Sequence, residues 1–191
     1  MTKYTLTRRA SAGFTLLEVM VAVAIAAIVL AVGVPSFSSS LDNQRMTSAT
    51  NDLVMTMNLA KSEAIKRVAY VTVCKSSDGL NCTAGSDWNE GWIVFANDTN
   101  ANLETVDADD EVLRVFQAID ERIDINATGG IANFLAFRPS GTVGTNVANL
   151  TGTLIACDER GADHARGVSI QPSGQWEVSR YVDHQGAALS C

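Results

Sequence analysis

The sequence predicts an α+β protein in which one long N-terminal helix packs on an antiparallel β-sheet or two-sheet head. Three observations lead there. Residues 14–34 are apolar apart from Thr15 and Glu18. A helical pattern then continues along one side of the chain to about residue 69. Beyond that point the period becomes two, in short runs separated by turn residues.

Beyond the apolar run, Leu41, Met46, Ala49, Leu53, Met57, Ala60, Ala64 and Val68 recur mostly at steps of three and four, while Asp42, Asn43, Asn51, Asp52, Lys61 and Arg67 fall off that stripe. Alanines and methionines on the stripe suit packing under a sheet better than a coiled-coil seam. Pro35 lies between two helical flanks, which predicts a kink rather than an end. The reading is one helix over 14–69, on the order of 80 Å long. Strands are expected at 70–74, 91–96, 112–118, 122–126, 133–138, 153–157, 167–171 and 175–182. Pro139-Ser140-Gly141 and Pro172-Ser173-Gly174 read as turns, the second joining two strands as a hairpin.

The chain has 191 residues and a net charge of −7, which argues against a general nucleic-acid binder. Its four cysteines, Cys74, Cys82, Cys157 and Cys191, all follow the apolar run, and no CxxC pair occurs. With two histidines in the chain, a Cys/His zinc site has too few ligands. An even cysteine count beyond an export segment points to two disulfides in an oxidising compartment. Four cysteines allow three pairings. The expected one is Cys74 with Cys82, tying a short loop, and Cys157 with Cys191, pinning the C-terminus.

The N-terminus admits three interpretations. A secretory signal peptide has a shorter apolar run and a small-residue cleavage site at its far end. A plain membrane anchor fits the length, since residues 14–34 span about 30 Å as a helix. It leaves unexplained a carboxylate five residues into the segment, where ionisable groups are costly. Gly13-Phe14-Thr15-Leu16-Leu17-Glu18 resembles the processing site of type IV prepilins, and this third reading accounts for all of it. The resemblance implies a leader at 1–13 removed by prepilin peptidase, N-methylation of the new terminus Phe14, and an assembly role for Glu18. A Glu18 carboxylate in an apolar filament core needs a cation, and the freed amine of a neighbouring Phe14 would supply one. Arg8 and Arg9 fit a cytoplasmic leader. Loss of the leader would leave 11 basic and 21 acidic residues, or −10. The implied organisation is a leader at 1–13, a transmembrane and assembly helix at 14–34, an amphipathic continuation at 35–69 and a β-rich periplasmic head at 70–191.

The head carries a second resemblance. Trp88-Asn89-Glu90-Gly91-Trp92-Ile93-Val94-Phe95 is similar to the W-x-x-G-W-x-V-F signature of the GspH/FimT family of minor pilins and pseudopilins. Phe137-Arg138-Pro139-Ser140-Gly141, Cys157-Asp158-Glu159-Arg160-Gly161 and Ala165-Arg166-Gly167-Val168-Ser169-Ile170 extend it. These residues are expected to build the fold rather than perform chemistry. The FimT-like branch, associated with DNA uptake, carries Gly-Arg-x-Arg near its C-terminus; the matching stretch here is Gly174-Gln175-Trp176-Glu177, with neither arginine. That removes the electrostatic reason to bind DNA there, leaving Arg160, Arg166 and Arg180 as a small candidate patch.

Two further constellations place polar side chains at suggestive spacings. Asp98, Asn100, Asn102, Glu104 and Asp109 sit at calcium-loop offsets, but Leu103 stands where such a loop needs glycine and the twelfth position is Asp rather than Glu. A solvated acidic loop is the expectation, with no metal and no cofactor. Asp158, His164 and Ser169 lack a nucleophile-elbow motif, and His184 has no partner motif, so surface histidines and no enzyme are expected. The resemblance implies a FimU-type minor pilin that helps prime a type IV pilus and sits at its tip. Its expected partners are other minor pilins, the major pilin, prepilin peptidase and the inner-membrane assembly platform. It would be a single-pass protein of a Gram-negative inner membrane with a periplasmic head, later part of the pilus at the cell surface. A GspH-like pseudopilin of type II secretion is the alternative, and a FimT-like DNA-uptake pilin the third reading.

Overall fold

The computed structural model describes residues 13–85, 87–97 and 102–191. The chain divides into two units, 1–41 and 42–191.

In the first unit, helix α1 (Leu16–Arg67) begins at Leu16 and continues through position 35. Its apolar side chains are exposed all round, from Phe14 and Leu16 to Val34. The helix is long and apolar enough to cross a membrane.

The second unit holds the rest of α1 and eight strands. These are β1 (Tyr70–Lys75), β2 (Gly91–Asn97), β3 (Glu111–Gln117), β4 (Asp124–Ala127), β5 (Phe134–Phe137), β6 (Gly152–Cys157), β7 (Arg166–Ile170) and β8 (Trp176–Ser179). Each expected strand is present, with its ends displaced by no more than a few residues. They form two antiparallel four-stranded sheets, β3-β2-β1-β5 and β4-β6-β7-β8. The head is therefore the two-sheet form of the expected α+β fold.

One core joins the three layers. Leu53, Met57, Ala60 and Ala64 from α1 pack with Val71, Val73, Trp92, Val94, Leu135 and Phe137 from the first sheet and Ile125, Leu154, Val168 and Ile170 from the second. The helical stripe is the one expected, except at its end. Val68 is 75% exposed and adopts φ 57°, because α1 stops at Arg67. Lys66 and Arg67 complement the negative end of the helix dipole, and Val68 makes the left-handed exit that glycine usually makes.

Strands β1 and β2 are buried on both faces. Their second face carries Cys74, Ile93 and Phe95, covered by Cys82, Val106 and Phe134. The second face of the other sheet carries Ile155 and Cys157, covered by Ala165 and by Leu189 from the C-terminal strap. Disulfides close both coverings, Cys74 to Cys82 and Cys157 to Cys191.

The two Pro-Ser-Gly turns meet. The second is the tip of the β7–β8 hairpin, closed by Gln171 N–H donating to the Gln175 carbonyl at 2.9 Å. Val143 N–H donates to the Pro172 carbonyl at 2.9 Å, tying the chain after the first turn to the second. Gly174, at φ 74°, lies so close that an added Cβ would fall 1.8 Å from the Gly141 carbonyl oxygen. Lys61 reaches over from α1, donating to the Gly174 carbonyl at 2.8 Å and lying 5.6 Å above the Trp176 ring.

Candidate functional site

The N-terminal segment is built around a helix start. Thr15 precedes the first helical residue, and its Oγ1 accepts the Glu18 N–H at 3.2 Å. Thr15 and Glu18 thus stand in the S/T-x-x-E spacing of a capping box, with the carboxylate in the first turn where the helix dipole favours it. The T-x-x-E spacing is the sequence signal for this local role. Glu18 has no ion pair among the described residues, and Phe14 is exposed beside the same turn. Gly13 has no neighbour within 4 Å of the place a Cβ would take. The leader residues before Gly13 lie outside the described residues.

In the head, the Trp-rich signature proves to be structural. Trp88 Nε1 donates to the Ala132 carbonyl at 3.0 Å, and Trp92 Nε1 donates to Thr56 Oγ1 on α1 at 2.8 Å. Trp92 also stacks on Phe116, with centroids 5.2 Å apart. Gly91 between them has φ 119°, and an added Cβ would fall 2.7 Å from the Phe116 carbonyl oxygen. Arg138 likewise serves the fold. Its guanidinium donates to the carbonyls of Thr145 at 2.6 Å and Ala148 at 2.9 Å, and to Asn149 Oδ1 at 3.0 Å. It organises the loop that follows the first Pro-Ser-Gly turn.

The calcium-loop offsets resolve differently from their spacing. Asp98 and Asn100 lie outside the described residues. Asn102 spends its oxygens locally, Oδ1 accepting the Glu104 N–H at 3.0 Å and its carbonyl accepting Asn97 Nδ2 at 2.8 Å. Leu103, in the glycine place, is buried with Tyr70, Ala136 and Phe134. The loop is anchored by an apolar side chain, and no cluster of metal-ligating groups occurs among the described residues.

Nor do Asp158, His164 and Ser169 converge. Asp158 accepts from Arg160 Nε at 2.9 Å. Burial raises the Asp158 carboxyl, but side-chain and backbone hydrogen bonds from Arg160 outweigh it and hold the group below its ordinary range. Ser169 Oγ lies 3.0 Å from Thr153 Oγ1, which accepts the His184 N–H at 2.9 Å and lies 3.2 Å from His184 Nδ1. His184 is half-buried rather than a surface group. It clasps the C-terminal strap to the sheet, and no carboxylate stands behind it in these contacts.

Of the basic candidates, Arg160 is paired with Asp158 and also donates to Asn43 Oδ1 on α1 at 3.0 Å; Arg166 donates to Thr47 Oγ1 at 2.7 Å. Burial and the nearby charges of Arg180 and Arg160 push the Arg166 guanidinium below its ordinary value, so the three arginines lie near one another. Two of them already have partners. Gln175 and Glu177 stand in the two places where the DNA-uptake branch carries its arginines, and Trp176 between them packs against the core and beneath Lys61.

Comparison with known proteins agrees with this assignment of parts. The family model described as type II transport protein GspH matches residues 49–174, more than half of the chain. The chain belongs to the GspH family. The prokaryotic N-terminal methylation motif matches residues 8–34. Two crystal forms of the type IV minor pilin FimU of Pseudomonas aeruginosa, strain PAO1, share the fold. One gives a TM-score of 0.56 at 21% identity, covering 78% of this chain and 97% of that one. The other gives 0.52 at 20% identity, covering 76% and 98%. No curated protein matches the sequence. The family places the chain among the minor pilins and pseudopilins of type IV pili and type II secretion, structural proteins rather than enzymes. Such proteins assemble with other pilins after prepilin-peptidase processing, and the motif and apolar helix fit a membrane-anchored pilin.

Proposed function

We propose that this family member is a minor pilin that helps prime a type IV pilus and sits at its tip. The observation carrying this reading is the likeness of fold, over 78% of this chain, to the minor pilin FimU. In this reading prepilin peptidase cuts between Gly13 and Phe14, Phe14 is N-methylated, and residues 14–34 hold the subunit in the inner membrane with its head in the periplasm. Glu18 then meets the amine of a neighbouring subunit in the filament core, where an apolar surrounding strengthens the attraction and makes an unpaired charge costly. Partners are other minor pilins, the major pilin and the assembly platform. Replacing Glu18 with Ala leaves cleavage intact and impairs piliation; normal piliation in E18A sinks the assigned role. The second reading, a pseudopilin of type II secretion, is favoured by the name of the matching family. A deletion strain separates the two: lost pili with normal secretion supports the first, and the reverse supports the second.

A further inference from the structure

A cleft of about 400 Å³ opens in the head between α1 and the segment that follows β3. Ala49, Ile119 and Ile123 make apolar walls, with Trp92 and Phe116 in the lining. Two carboxylates line it as well, in different states. Asp120 is taken by Arg45, whose Nε lies 3.0 Å away and whose Nη1 also pairs with Asp42 at 2.8 Å. Asp52 has no ion pair or side-chain hydrogen bond among the described residues; its main-chain carbonyl accepts from Thr56 Oγ1 at 2.7 Å. Arg45 is held by its two acids and would have to leave them to serve Asp52. Among the lining residues Asp52 and Asp120 are set against Arg45, an excess of one negative charge, while Asp42 nearby faces both Arg45 and Arg160.

A cleft that combines apolar lining with an unpaired carboxylate matches one common kind of side chain, which has an aliphatic stem and a cationic end. An anion would meet the acidic excess, and a purely apolar group would leave Asp52 desolvated without compensation. We propose that this cleft receives a long basic side chain, arginine or lysine, from a neighbouring pilin subunit, with its cationic end at Asp52. The stem lies against Ile119 and Ile123. The chemistry of the occupant rests on the cleft alone, while its source rests on the family's assembly with other pilins.

The test uses the full chain in detergent micelles, with n-butylguanidinium as the probe and nuclear magnetic resonance of the Trp92 indole N–H and Ile123 methyls as the readout. Saturable shifts are expected, weakened about tenfold in D52N, which keeps the side chain's shape and removes its charge. Butyrate and n-butanol should bind at least tenfold more weakly. The proposal fails if the shifts do not saturate, if D52N binds equally well, or if either control matches the cation. The source is tested separately in cells by placing a photo-crosslinking amino acid at Ser48, an exposed residue of the same lining. A cross-link to another pilin within a segment bearing Arg or Lys supports the assignment. No cross-link, or one to a protein that is not a pilin, overturns the pilin as source while leaving the guanidinium result standing.

Discussion

Thr56 is the most informative place to perturb the head. It lies on the helical face that meets the sheets and is fully buried, as is Trp92 to within 1%. Its hydroxyl donates to the Asp52 carbonyl at 2.7 Å and accepts from Trp92 Nε1 at 2.8 Å. Valine fills nearly the same volume, so T56V creates no cavity and isolates the lost acceptor. The Asp52 carbonyl keeps its ordinary helical partner, leaving the indole N–H as the group stranded. An unsatisfied buried donor costs about 1–3 kcal/mol, so T56V should destabilise residues 42–191 by about 2 kcal/mol. For a unit of this size that is a fall in Tm of roughly 4–8 °C. The control is W92F, which removes the donor and leaves the Thr56 hydroxyl bonded to Asp52. In that background T56V should cost under about 0.5 kcal/mol, giving a coupling of about 1.5 kcal/mol in a double-mutant cycle by urea unfolding. If T56V costs the same with and without the indole, the hydrogen bond is not what Thr56 contributes, and the reasoning fails.

Three other outcomes follow from the packing. Gly174→Ala forces a side chain into the left-handed region and onto the Gly141 carbonyl, so it should cost about 3 kcal/mol, read by denaturant unfolding. Replacing both Cys157 and Cys191 with Ser opens the 34-residue separation and should cost about 4 kcal/mol, whereas the pair Cys74 and Cys82, 8 apart, should cost about 2.5 kcal/mol. The order of the two unfolding midpoints checks this. Because the folded Asp158 carboxyl lies below its unfolded value of about 3.9, its contribution is present above that pH and lost as pH falls through the folded value. D158N should lower stability at neutral pH and flatten the acid limb of a stability-versus-pH curve.

Local pattern was informative wherever local forces decide structure. All eight strands and the buried stripe of α1 were visible as periods of two and of about 3.6, because each side chain's face follows from its place in the repeat. Val68 misled because it continues the stripe in sequence, whereas the chain leaves the helix at that residue through a backbone conformation that β-branched residues rarely adopt. The calcium-like spacing carried its own objection in Leu103, whose burial against Tyr70 and Ala136 was not legible from the loop alone. Thr56, which reads as a polar intruder on an apolar stripe, could not be assigned without Trp92, far away in sequence. His184 posed the same difficulty, since its partner Thr153 lies on β6, far away in sequence. Sheet membership was not legible at all. Nothing in residues 124–127 says that they pair with β6 rather than with the strands on either side of them in sequence.

That last pairing bears on how the head forms. The first sheet takes β1, β2, β3 and β5 and the second takes β4, β6, β7 and β8, so their chain segments interleave and neither sheet is a continuous stretch of sequence. A chain emerging from a membrane N-terminus first cannot complete the first sheet until Phe137 is available to pair with Val71. By then β4 has emerged without its partner, since β6 follows later. Met57, Ala60 and Ala64 meanwhile wait for both layers. Contacts this distant in sequence make folding slow and leave apolar surface open while it proceeds. The expected consequence is a single concerted transition with no stable half-head, in which a truncation before β8 yields no smaller folded domain.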